Sequence, residues 1–320
     1  MRIGNMRGVD LLIFDFDYDL QWHALMLSPG GEVLGRFGGR DADTPAKYQT
    51  LPALRHSLEA ALARFKTHKD AKTVRTPKRA EDYPAAEKLH DNACIHCHHV
   101  NEFRRALLQH EKRWSLDDVW VYPQPENLGL TLDPDRGDRV VSVQPKSLAA
   151  NLGIKAKDVL LRIGTTPIAS VADVQYGLHK APKKGELAIA WKSGGDELKG
   201  SLTLAEGWRK TDVSWRWSLK SLSPNPSLIG EDLGLDERKA LGLEPRQLAY
   251  RHINFLTPTG RHAGLQANDI IVGIDDEQKM TMTARQFETH IRLYYRVGQE
   301  ITLNVLRGKE RLKLRLKLPE

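Results

Sequence analysis

Apolar and polar positions along this chain fall into stretches with two different periods, and each stretch predicts an element. Residues 11–16 are mostly apolar and read as a strand. Residues 24–27 and 32–37 flank Ser28-Pro29-Gly30-Gly31 and read as a hairpin with a glycine turn, which Gly38-Gly39 stops. Leu54, Leu58, Ala61 and Leu62 share one face of a helix predicted over residues 51–65. Residues 171–180 and 284–294 also have helical spacing, and β-runs follow each at 186–191 and 300–307. The final run, 311–318, alternates basic residues with leucine, as a last strand with a solvated basic face does.

The same pattern is written twice. SLAANLGIKAKDVLLRI (147–163) matches HAGLQANDIIVGI (262–274). Gly153 aligns with Gly264, Ile154 with Leu265, Ala156 with Ala267 and Asp158 with Asp269, and Val159-Leu160-Leu161 aligns with Ile270-Ile271-Val272. The offset is 111 residues (153 to 264). Solenoid repeats recur every ~20–50 residues, so this period predicts two similar domains rather than a solenoid.

At 320 residues the chain suits two or three domains. A hydrophobic share of 40% fills ordinary cores, and 28% charged residues give a mixed-charge surface. The net charge of +7 and pI of about 9.3 are compatible with an acidic partner, but no nucleic-acid recognition motif accompanies them. No stretch reaches the roughly 18 consecutive apolar residues of a transmembrane helix. Residues 1–7 lack the apolar core of a signal peptide.

Chemistry concentrates in one place. The chain's 2 cysteines stand in Cys94-Ile95-His96-Cys97-His98, the attachment pattern for c-type haem. In that reading Cys94 and Cys97 carry the thioether links and His98 is the iron ligand. The distal ligand is not fixed by the motif; His90, His99, His110, Met280 and Met282 are the candidates. Two alternatives stay open. A redox dithiol uses the pair directly, with neighbouring histidines favouring the thiolate. A zinc site takes Cys94, Cys97, His98 and one of His90, His96 or His99. Asp15, Asp17 and Asp19 end an apolar run as phosphatase carboxylates do, but Tyr18-Asp19-Leu20 lacks the small residue and threonine of such a loop. No serine-hydrolase nucleophile segment and no phosphate-cradling loop is present.

The two repeat units resemble PDZ domains of the bacterial HtrA type. Leu128-Gly129-Leu130 stands where that family has its carboxylate-binding loop, and Ser170-Val171-Ala172-Asp173-Val174 opens the helix bordering the peptide groove. The resemblance implies that Leu128, Gly129 and Leu130 hold a peptide terminus and that Val171 and Val174 shape its pocket, so that enlarging Gly129 weakens binding and spares the fold. In the second unit Leu241-Gly242-Leu243 is the corresponding candidate loop. Lys157 and Asn268 replace the family's usual glycine. "LMLSPGGEVLGRFGG" is similar to the last hairpin of a thioredoxin fold, with its reactive pair absent. With "GVDLLIFDFDYDLQW", "ACIHCHHV", "SVADVQYGLHKAP" and "GWRKTDVSWR", the whole order resembles a bacterial family of thioredoxin-like, PDZ-containing proteins, some of them selenoproteins. That likeness sets the expectation of a natural start upstream and of a periplasmic or cell-envelope location, the cytoplasm being the alternative.

The expected fold is α+β and modular. It comprises a partial thioredoxin-like unit (1–66), an extended linker (67–90), a CxxCH segment (91–124), a first PDZ-like domain (125–205), a Trp-rich connector (206–234) and a second PDZ-like domain (235–320). The expected function is binding of protein C-termini or extended peptides, joined to haem-based redox or electron transfer with a redox partner. A thiol oxidoreductase, or a non-catalytic adaptor with zinc or an idle cysteine pair, is the alternative. No complete catalytic centre is expected, and neither nucleic acid nor a membrane span.

Overall fold

A computed structural model describes residues 1–41, 44–69, 76–89, 93–253 and 257–319. The chain is α+β and divides into two compact units, Met1–Thr211 and Asp212–Glu320.

In the first unit β1 (His23–Leu27) and β2 (Val33–Gly38) pair antiparallel, closed by Ser28–Glu32 backbone bonding and by Gly31 at φ +83°. Helix α1 (Leu51–Thr67) follows, its first turn capped by the Thr50 hydroxyl, which accepts from Ala53 N at 3.1 Å. Its buried face differs from the predicted one. Ala53, Ser57 and Ala61 are buried, while Leu58, Leu62 and Phe65 are exposed beside Met26 and Leu34. The cause is close approach: a Cβ on Gly35 of β2 would lie 3.3 Å from Ala61 Cβ, so only small side chains fit between the backbones.

Residues 11–16 are turns and a bend, not the predicted strand. Asp10 organises them: its carboxylate accepts from Leu12 N at 2.9 Å and its carbonyl from Phe14 N at 3.0 Å. An Asx turn thus takes the donors that a strand needs. Leu11 and Tyr18 instead enter a small core with Met6, Ala80, Tyr83, Ile95, Val100 and Phe103. The expected linker is therefore partly built into the unit: 76–89 carries 3-10 turns at Ala80–Asp82 and Pro84–Lys88, with Ala80 and Tyr83 buried. Helix α2 (Cys97–His110) supplies Val100 and Phe103 to that core.

The remainder of unit 1 runs β3 (Leu130–Leu132), β4 (Val140–Val143), α3 (Leu148–Asn151), β5 (Val159–Ile163), β6 (Thr166–Pro167), α4 (Val171–Lys180), β7 (Gly185–Ser193) and β8 (Asp196–Leu204). Its sheets have orders β6-β5-β7-β8 and β3-β4, and an Arg139–Val159 bridge links them.

Unit 2 runs β9 (Gly230–Asp232), α5 (Leu235–Ala240), β10 (Tyr250–His252), α6 (Pro258–His262), β11 (Ile270–Ile274), α7 (Ala284–Tyr294), β12 (Glu300–Arg307) and β13 (Glu310–Lys317). Its sheet has the order β13-β12-β11-β10-β9. The second repeat thus begins before residue 235, because β9 pairs with β10. Leu241-Gly242-Leu243 follows α5, between β9 and β10, and is not a loop leading into the edge strand. Of the connector tryptophans, Trp208 donates to Pro182 O at 3.0 Å within unit 1. In unit 2 Trp215 is buried, and Trp217 starts a 3-10 turn rather than continuing a strand.

The aligned residues form the same turn in both repeats. Lys157 (φ +75°) and Asn268 (φ +67°) are both left-handed, the conformation that glycine usually supplies. The next residue, Asp158 or Asp269, accepts from the backbone N–H of Lys155 (2.9 Å) or Gln266 (2.8 Å) and closes the turn.

Candidate functional site

The Cys-His segment is fixed by the residue between its cysteines. Ile95 is fully buried; Asn5 Oδ1 accepts from its N–H at 2.9 Å, and its carbonyl accepts from Met6 N at 2.8 Å. Cys94 is therefore turned outward and exposed, and Cys97 begins α2 half-buried; both are free thiols. His96 is the N-cap residue, with His99 Nδ1 accepting from its backbone N–H at 3.3 Å.

Three imidazoles gather on this first turn. His98 and His99 ring centroids lie 4.4 Å apart, His96 and His99 5.3 Å, and His96 and His98 5.8 Å. Glu102, one helical turn on, places Oε1 2.7 Å from His98 Nδ1. A carboxylate on Nδ1 fixes the ring and directs metal ligation to Nε2, the arrangement common behind metal-bound histidines. Among the described residues, His98, His99 and Glu102 form a group whose ligand atoms lie within 4.8 Å of one another.

The electrostatics favour neutral groups here. Burial, followed by the charges of His98 and His96, lowers the His99 pKa; Glu102 opposes this. Burial raises the Cys97 thiol, outweighing its own backbone hydrogen bond, so the expected activation of this thiolate by nearby histidines is not what the surroundings produce. Sequence reasoning missed Glu102, although its i,i+4 spacing from His98 on a helix is a legible signal. His90 lies outside the described residues. His99 neighbours His98 on the same helical turn.

The aspartates of the N-terminal run serve structure. Asp15 pairs with Lys180 at 2.6 Å and accepts from the Tyr122 hydroxyl at 3.1 Å; burial raises its pKa, but the Lys180 ammonium brings it below the usual carboxylate range. Asp19 accepts from Asn101 of α2 at 2.9 Å.

The residues expected to line a peptide pocket lie in the core of unit 1. Leu128, Leu130, Val171 and Val174 belong to one core cluster and are at most 2% exposed. Tyr48, from the segment before α1, is buried in the same cluster. Gly129 has φ +83°, and a Cβ there would lie 2.2 Å from Ser147 Cβ. Enlarging Gly129 thus strikes the fold itself, contrary to the sequence-based expectation.

Neither any family model nor any curated protein matches the chain. Among solved structures it is similar to a variant of the HtrA-type protease AlgW with a decapeptide, at 21% identity and a TM-score of 0.26, over 29% of this chain and 28% of that one. The AlgW variant with a tripeptide gives 16% identity and a TM-score of 0.26, over 57% of this chain and 58% of that one. The chain thus spans less than two thirds of either protein, and at these scores the resemblance carries no argument about activity. No helix among the described residues is long and apolar enough to cross a membrane.

Proposed function

We propose that this chain binds peptides on a PDZ-like scaffold and carries a redox-active haem at the entry of α2. The reading rests on one observation: two free thiols and His98, its Nδ1 held by Glu102, occupy the start of one helix pinned by a buried Ile95. Those donors fit covalent haem. Cys94 and Cys97 would carry the thioether links, and His98 would ligate through Nε2. When bound, the group supplies one-electron transfer; the protein orients it through the Glu102–His98 bond and holds the motif through Asn5 and Met6. A periplasmic or envelope setting accompanies this reading.

One observation favours a second reading. His98, His99 and Glu102 are close enough to take a zinc ion, and the lowered His99 pKa favours the neutral ring that a metal needs. A thiol oxidoreductase is the weaker alternative, because burial disfavours the Cys97 thiolate.

The deciding experiment is intact mass with a pyridine haemochrome spectrum. The full chain is exported with a haem-maturation system and extracted with acid-acetone. A mass gain of one haem that survives extraction is expected. An unmodified mass overturns the haem reading, and zinc titration against a chromogenic chelator then tests the second.

A further inference from the structure

We infer that the groove between β3 and α4 is a binding site for a tyrosine-bearing peptide and is occupied in cis by the chain's own residues around Tyr48. The inference rests on the peptide-binding half of the proposed function. Among the described residues β3 pairs with β4 alone, which leaves its other edge of the kind that accepts extended peptides.

Contacts place the preceding segment near both ends of β3 and against α4. At one end of β3 the Tyr48 hydroxyl lies beside the Glu126 carboxyl. At the other, the Thr50 hydroxyl donates to Pro134 O at 3.5 Å. On the α4 side Gln175 Nε2 donates to Arg40 O at 2.7 Å, and a Cβ on Gly39 would lie 2.6 Å from Gln175 Oε1.

The buried part of the occupant is one side chain. Pro45–Tyr48 is a turn closed by Gln49 N to Ala46 O at 3.0 Å, and Thr44, Pro45 and Ala46 are exposed. Tyr48 is the buried anchor. A turn with one buried anchor and little other burial belongs to the easily opened part of a fold. A second aromatic peptide competes with it for the same pocket.

The test uses the full chain and labelled synthetic peptides in fluorescence anisotropy. The first probe is the blocked heptapeptide TPAKYQT (residues 44–50), with its tyrosine-to-alanine form as control. Tyr48→Ala is expected to bind the heptapeptide at least ~100-fold more tightly than wild type or Tyr48→Phe, because an occupant in cis acts at an effective concentration near millimolar. The alanine peptide is expected not to bind. If Tyr48→Ala does not fold by circular dichroism, Tyr48→Leu, which keeps apolar volume, carries the same comparison with at least a ~10-fold gain.

A folded variant that ignores the heptapeptide overturns the inference, as does wild type binding it equally well. The second probe is TPAKY with a free carboxylate. If the variant takes the heptapeptide but not TPAKY, occupation in cis stands and the terminal-carboxylate role of 128–130 falls. If wild type takes TPAKY as tightly as the variant, occupation in cis falls and peptide binding stands.

Discussion

Replacing Gly129 by alanine is expected to destabilise unit 1 by an amount set by two separable terms. The backbone there is left-handed at φ +83°, which costs an L-residue about 1–2 kcal/mol. The new Cβ would also meet Ser147 Cβ at 2.2 Å and Ser147 Oγ at 2.4 Å. The turn cannot retreat easily, because Gly129 N donates to Glu126 O at 2.9 Å and Gly129 O accepts from Gln144 N at 2.8 Å. Overpacking of this kind costs about 1–3 kcal/mol. Together the terms give about 2–5 kcal/mol, a loss of roughly 4–20 °C in melting temperature for a unit of this size.

Ser147→Gly separates the terms. Alone it removes the hydroxyl that accepts from Ala150 N at 3.2 Å and caps α3, a change worth only a few tenths of a kcal/mol when glycine replaces serine. In the double variant it removes the colliding atoms, so about 1–3 kcal/mol of the Gly129→Ala loss returns as a coupling energy. Urea unfolding of the four proteins measures the cycle. A Gly129→Ala protein as stable as wild type, or a double variant that recovers nothing, refutes the argument.

Three further outcomes are expected. Burial pushes His23 and His179 down to about 3, against an ordinary value of 6.5. Both rings stay neutral in the fold while an unfolded chain protonates them, so stability is full above pH 6.5 and falls below it by about 1.4 kcal/mol per pH unit for each ring. Urea midpoints that stay flat from pH 6.5 to about 4.5 would contradict this, and His23→Phe should remove about half the slope. Lys157→Gly relieves a left-handed lysine and should stabilise unit 1 by about 0.5–1 kcal/mol by thermal unfolding, whereas Asn268→Gly should change unit 2 by less than about 0.5 kcal/mol. Glu102→Gln should weaken metal binding at His98 about 10–100-fold in chelator competition, with helix content unchanged by circular dichroism.

Much of the fold is legible in short windows because the information is local. Gly30-Gly31 and the flanking alternation define the β1–β2 hairpin, and Thr50 with its following apolar residues starts α1. The repeat at 153–161 and 264–272 marks two units whose left-handed residues sit at the aligned Lys157 and Asn268. The alternation at 311–318 emerges as β13 with its basic residues outward. The Cys-x-x-Cys-His spacing likewise located the candidate site, since its chemistry is carried by neighbours in sequence.

Tertiary structure decided what depends on distant backbone. An apolar run at 11–16 meets no partner strand among the described residues, and Asp10 takes its donors, so it coils into a shared core with α2. Gly35 approaches α1 so closely that small residues, not the leucines, face inward. Strand β9 joins its sheet across the intervening α5, a pairing that no local period encodes. Leu128, Leu130, Val171 and Val174 are legible as apolar positions, but their core neighbour Tyr48 is not. Tyr48 lies far away in the chain, and only folding brings it there, because burying an aromatic ring beside those side chains is favourable wherever the chain can reach.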